Sequence, residues 1–266
     1  MNGLGRVRSW LYVPAHRADL IAKAMAGPAD AVVLDLEDAV PVAAKDAARD
    51  AAVAALGMPR AKPLWVRMNA GSAADVAALA AARPDGVRVP KATDPSAVAA
   101  LAQELDLPLH LLVESALGVE NAFRLALADR RVAGVSLGEA DLAADLHVRD
   151  PAALGWARQR VVVANRAAGL PSPVAPVWTD LADPDGLAAD TATARDHGFF
   201  GRSVIHPSQV EPVNRAFTPS AADLDAARAL VASVDGASVD ARGRFVDPAV
   251  VAGARWLLEL EPEETR

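Results

Sequence analysis

Short runs of β-branched and aliphatic residues alternate with Ala-rich amphipathic stretches almost from end to end, and this rhythm constrains the architecture more than any single motif. The strand candidates are residues 7–13, 31–36, 64–68, 86–89, 109–113, 132–137, 173–177 and 201–205. Between them, residues 40–56, 73–82, 95–105, 119–128, 156–168 and 186–197 carry the apolar spacing of helices packing one face on a sheet. Near-continuous apolar strands such as Ala31-Val32-Val33-Leu34 suit a parallel sheet covered on both faces. Eight strands, each followed by a helix within about 200 residues, predict an α/β protein of the (β/α)8 TIM-barrel type. An open doubly wound sheet would carry a Gly-rich phosphate loop after its first strand, where this chain has Pro14-Ala15-His16-Arg17. Helices expected at 220–234 and 248–260, joined by a turn over 235–245, fall outside the eightfold count. Residues 1–217 are therefore read as a catalytic barrel and 218–266 as an appended C-terminal helical arm.

Composition narrows the function. The 266 residues are 52% hydrophobic with a formal net charge of −7, a globular balance that disfavours broad nucleic-acid binding. The absence of cysteine removes disulfides, thiolate metal sites and cysteine nucleophiles together. No apolar run approaches the ~20 residues that span a bilayer, and residues 1–10 carry no signal-peptide core. The expectation is a cytoplasmic protein with no membrane and no nucleic-acid partner.

In such a barrel the chemistry gathers at the C-terminal ends of the strands. Polar residues accumulate there: Asp35, Glu37 and Asp38 after the second strand, Arg67 after the third, Lys91 after the fourth, Glu114 after the fifth, Glu139 and Asp141 after the sixth. Carboxylates interleaved with cations, without cysteine and with few histidines, suit a hard divalent cation: Mg²⁺, or Mn²⁺. Glu114 and Asp141 are the best ligand pair, since each stands alone after a clean apolar strand. Glu114 could instead pair with an arginine, and Asp141 could cap a helix. Asp35, Glu37 and Asp38 would hold metal waters or orient Arg67. Arginine near the end of a buried strand is costly unless paired, so Arg67 is either a structural partner of Asp35 or Asp38 or a donor to an oxygen that gains charge. A Schiff-base role for Lys91 is conceivable. Arg17 and His206 follow the first and last strands and could reach the same mouth, or His206 could be satisfied within its own turn.

The chain resembles the citrate lyase β-subunit-like family of the HpcH/HpaI aldolase superfamily from about Arg8 to Arg255. The segments that carry the likeness are Leu11 to Arg17, Val33 to Val40, Val66 to Asn69, Val89-Pro90-Lys91, Leu112 to Ser115, Gly138 to Leu142, and Gly198 to Gln209. The resemblance implies a Mg²⁺-dependent carbon–carbon lyase that cleaves or forms a hydroxy-diacid CoA thioester, such as malyl-CoA or citramalyl-CoA, giving acetyl-CoA and a 2-oxo acid. It implies Glu114 and Asp141 as metal ligands, Arg67 at the reacting oxygens, and Arg17, Lys91 and His206 around the CoA. Gly243 to Asp247 matches the family's closing segment, which makes Asp247 an acid–base candidate supplied by a neighbour in a homo-oligomer, a trimer or larger. Two positions depart from the pattern: Ala140 stands before Asp141, which shifts the acidic neighbour to Glu139, and Ala175 stands where many relatives carry an Asp. The alternatives are a citryl-ACP lyase-type subunit of a citrate lyase complex, a free-acid pyruvate aldolase, and a non-catalytic barrel that binds a CoA ester.

Overall fold

The structure is a computed structural model that describes residues 3–233, 238–239, 245–246 and 248–261. Seven parallel strands form one curled sheet: β1 (Ser9–Pro14), β2 (Ala31–Asp35), β3 (Leu64–Arg67), β4 (Gly86–Val89), β5 (Leu109–Val113), β6 (Val132–Leu137) and β7 (Arg202–Val204). Their order is β6-β5-β4-β3-β2-β1-β7. Helices α1 (Ala18–Ala26), α2 (Lys45–Leu56), α3 (Ala73–Ala82), α4 (Pro95–Leu105) and α5 (Ala116–Ala126) alternate with the first six strands, α6 (Glu139–Asp145), α7 (Gly155–Ala167) and α8 (Pro184–Asp196) lie between β6 and β7, and α9 (Val210–Phe217) follows β7. This is the α/β TIM-barrel fold expected from the rhythm of the sequence.

One expected strand is almost absent. Residues 173–177 make a single parallel bridge, Ala175 to Arg202. Ala175 N donates to Gly201 O at 2.9 Å, and Ser203 N returns a bond to Ala175 O at 3.0 Å. On the other side Val174 N finds only the Ser136 hydroxyl on β6, at 2.9 Å. Pro173 and Pro176 have no N–H to extend a ladder, so the position between β6 and β7 is occupied by an irregular segment. The helix expected over residues 40–56 is also shorter. Pro41 precedes a 3₁₀ turn at Val42–Ala44, and regular helix begins only at Lys45.

The strand register levels the functional ends of the sheet. Pro14 pairs with Asp35 and Asp35 with Arg67, so these three stand at one height. Below them the barrel is filled by interlocking rings. Trp10 and Trp65 meet edge to face at 5.4 Å. The Trp65 ring covers its partner Gly86 so closely that a Cβ there would lie 2.3 Å from it. Several helices start on residues whose side chains accept an orphan backbone N–H, among them Ser72, Asp94 ahead of Pro95, and Ser115.

By compactness the chain divides into two units, Met1–Asn214 and Arg215–Arg266. In the second, α10 (Ala221–Ser233) and α11 (Pro248–Glu259) pack on one another, with Leu224, Ala227, Val251 and Ala254 buried. A short antiparallel pair joins Ser238–Val239 to Phe245–Val246. No helix among the described residues is long and apolar enough to cross a membrane.

Candidate active site

A cavity of about 420 Å³ opens at the C-terminal ends of the strands in the first unit, where Asp35, Arg67, Glu114, Glu139 and Asp141 all reach its wall. The residues come from four different strand ends, brought together at the C-terminal rim of the parallel sheet.

Arg67 is held on several sides. Its Nε and Nη2 donate to the two oxygens of Asp35 at 2.7 and 2.6 Å, a bidentate fork. Nη1 donates to Asp38 at 3.0 Å and lies 3.1 Å from Glu37. The guanidinium also sits 5.3 Å from the centre of the Tyr12 ring. Burial opposes its charge, but the bonds and charge of Asp35 outweigh that and hold the guanidinium above its ordinary pKa. The ion-pair alternative for Arg67 is thus present, and it fixes the plane of a side chain that still faces the cavity. Asp38 is the loose member of the set, with a side chain 63% exposed.

Glu114 is a strongly perturbed carboxyl. Burial and then the negative charge of Glu37, with a smaller contribution from Asp141, push it up to about 7 against the opposing bond from Lys91 N. That bond, 2.9 Å to Oε2, comes from Lys91 in a left-handed backbone conformation at φ 54°. For a non-glycine residue this is a strained conformation. The carboxyl lies across Gly138, where a Cβ would stand 2.4 Å from Oε1. Glycine is required there for space. Lys91 Nζ meets Glu37 at 2.6 Å, and burial raises the Glu37 carboxyl against the pull of Lys91 and Arg67.

Asp141 lies in the first turn of α6, with Gly138 at the cap position, so it does not cap the helix. Glu139 is taken by Arg158 of α7, which forks onto it at 2.5 and 2.8 Å. Arg158 also reaches Asp190, which holds the buried Arg202. Among the described residues no cluster of three or more His, Asp or Glu forms a metal cage. Two carboxylates at a cavity wall, one of them buried among like charges, nevertheless fit a cation that completes its shell with water and substrate, as Mg²⁺ does.

Arg17 and His206 are not among the lining residues. Arg17 forks onto Asp19 on the exposed surface. His206 caps the 3₁₀ turn Pro207–Gln209 and contacts Ser208 Oγ at 2.8 Å. Lys91 faces a neighbouring hollow of about 370 Å³ between α3 and α4. Asp247 lies outside the described residues. The sequence reading missed Tyr12, Ser136 and Ser203, all on the cavity wall, and the constraint at Gly138. It also missed Arg88 in the middle of Val87-Arg88-Val89, although an arginine inside an apolar strand was the signal used for Arg67. Arg158 carries no local signal.

Several known proteins match this chain over most of its length. A (3S)-malyl-CoA thioesterase of Cereibacter sphaeroides is 37% identical over 89% of this chain and 86% of its own length. The citrate lyase subunit beta of Escherichia coli (strain K12) is 30% identical over 94% of this chain and 92% of its own. Among solved structures, protein CitE from Mycobacterium tuberculosis in complex with magnesium, acetoacetate and coenzyme A is 34% identical and superposes with a TM-score of 0.82, covering 95% of this chain and 97% of its own. The pattern of HpcH/HpaI aldolase/citrate lyase matches residues 8–207. With the fold, the match over residues 8–207 and relatives of 30–37% identity over most of both chains in agreement, the chain belongs to the HpcH/HpaI aldolase/citrate lyase family.

Proposed function

We propose that this protein is a Mg²⁺-dependent carbon–carbon lyase acting on a hydroxy-diacid CoA thioester of the malyl-CoA or citramalyl-CoA type. The observation that carries the reading is the buried Glu114 carboxyl facing one cavity with Asp141 and a fork-locked Arg67. Relatives solved with magnesium, and one with coenzyme A and acetoacetate together, support the same ligand chemistry.

Glu114 and Asp141 would hold the cation, with Glu37 and Asp38 beside them and Glu139 already held by Arg158. When bound, Mg²⁺ supplies Lewis-acid polarisation of the acid head's oxygens. Arg67 provides a preorganised donor where negative charge builds on oxygen as the carbon–carbon bond breaks, with Asp38 the partner that a substrate oxygen would replace. Asp35 holds the guanidinium in plane throughout. Asp247 of a neighbouring copy is the proposed acid for the acetyl-CoA enolate, and Arg17, Lys91 and His206 the proposed contacts of the CoA.

A second reading deserves its own arm in the test, because several relatives about 36% identical are malyl-CoA thioesterases. The experiment incubates the protein with malyl-CoA, citramalyl-CoA, citryl-CoA and the free diacids, with and without Mg²⁺, followed by mass spectrometry. Acetyl-CoA with glyoxylate or pyruvate supports the lyase. Free CoA with the intact diacid supports the thioesterase, and cleavage of free diacids alone places the protein with the aldolases. No product from any of them overturns the enzymatic reading.

A further inference from the structure

Beneath the cavity floor lies a cation that the proposed reaction does not use. Arg88 on β4 is 1% exposed, and no carboxylate among the described residues comes within ion-pair distance of it. Its guanidinium sits 4.6 Å from the Trp10 ring and 5.2 Å from the Tyr12 ring. Nη1 donates twice, to Tyr12 Oη at 2.9 Å and to Ser203 Oγ at 2.8 Å, while Nε and Nη2 are buried without partners. A buried charge left without a counter-charge is costly, so a fold that keeps one has left an electrostatic interaction unfilled.

The two hydroxyls show where that interaction is directed. A Tyr or Ser hydroxyl has one proton to give and accepts through its oxygen. Tyr12 Oη and Ser203 Oγ both accept from Arg88, and neither donates to a protein acceptor among the described residues. Both line the cavity. Their protons are therefore free for an oxygen inside it, with a guanidinium behind them to strengthen each bond.

We infer that Arg88 is a positioning residue that turns the hydroxyls of Tyr12 and Ser203 into a two-donor subsite for a carboxylate of the substrate's acid head. The subsite belongs to the β1–β7 side of the barrel, whereas Glu114 and Asp141 follow β5 and β6. An anion spanning the cavity is thus gripped from both sides. The inference rests on the lyase reading for the identity of the acid, though the subsite needs only a small carboxylate.

The test is calorimetric titration of the intact protein with pyruvate and with its neutral amide, pyruvamide, at fixed saturating Mg²⁺. Tyr12→Phe and Ser203→Ala are each expected to raise the Kd for pyruvate about tenfold, as loss of a hydrogen bond to a charged group does, and to change that for pyruvamide much less. Arg88→Met should weaken pyruvate similarly in the wild-type background and have little further effect when both hydroxyls are already gone. Equal losses for pyruvate and pyruvamide, or an undiminished effect of Arg88→Met in the hydroxyl-free background, would overturn the inference. If Arg88→Met does not fold, the two conservative hydroxyl variants decide the matter alone by the same pyruvate-to-pyruvamide ratio. Because binding is read without turnover, a protein that shows this pattern yet cleaves no CoA ester upholds the subsite and refutes the lyase. A lyase whose pyruvate affinity ignores both hydroxyls does the reverse.

Discussion

Gly138→Ala changes no donor and no charge, yet it should disable the site. Gly138 has φ −100°, an ordinary value for alanine, so the substitution acts only through space. The new Cβ would stand 2.4 Å from Glu114 Oε1, 2.6 Å from Cγ and 2.9 Å from Cδ, where ordinary contact begins at 3.4 Å. The carboxyl must therefore retreat by about 1 Å, and Lys91 N on Oε2 resists the movement. Overpacking of this kind costs about 1–3 kcal/mol of folding stability, partly offset by the entropy an alanine removes from the unfolded chain. A misplacement of about 1 Å at a reacting centre costs roughly 10² in rate, equivalent to about 3 kcal/mol. The assay is kcat/KM for the CoA ester that the product survey identifies, together with calorimetric Mg²⁺ affinity and urea unfolding. Gly155→Ala is the control, since a Cβ there meets nothing within 4 Å. If Gly138→Ala keeps wild-type Mg²⁺ affinity and loses less than threefold in kcat/KM, Glu114 is not the group on which the site depends.

The remaining predictions test the charges. Glu114 is raised from 4.5 to about 7, so the folded state holds its proton more tightly than the unfolded chain; the associated stability is complete below about pH 4.5 and is lost as pH rises through about 7, on the order of 3 kcal/mol. Metal-free unfolding should show this decline in wild type and not in Glu114→Gln, Mg²⁺ affinity should increase across the same window, and identical pH profiles for the two proteins would refute the assignment. Asp141→Asn should abolish calorimetric Mg²⁺ binding, whereas Glu139→Gln should weaken it less than tenfold, because Arg158 already holds the Glu139 carboxylate; the opposite order would exchange the ligand assignment. Mixing Asp247→Ala chains with Arg67→Ala chains, each nearly inactive alone, should restore a sizeable fraction of activity if the acid comes from a neighbour, and no recovery after demonstrated subunit exchange would exclude a shared site.

The barrel was legible because its information is local. Apolar runs such as Ala31-Val32-Val33-Leu34 and capped helices such as the one from Pro95 follow from side-chain pattern and turn chemistry within a dozen residues. The strand-end carboxylates were legible for the same reason, since a single acid after an apolar run needs no partner to be noticed. Even the loss of the strand near Ala175 has a local cause in Pro173 and Pro176, although periodicity alone passed over it.

Which charge meets which was decided only when the sheet curled. Whether Arg67 forks onto Asp35, and whether Glu139 is held by Arg158, depends on side chains 32 and 19 residues away. Arg88 meets the Ser203 hydroxyl across 115 residues of sequence. The raised carboxyl of Glu114 depends on burial and on Glu37 from another strand end, neither of which exists until the barrel forms. A residue's type and its place after a strand are properties of the chain, but its protonation and its partners are set by solvent exclusion and by groups that meet only in the closed fold.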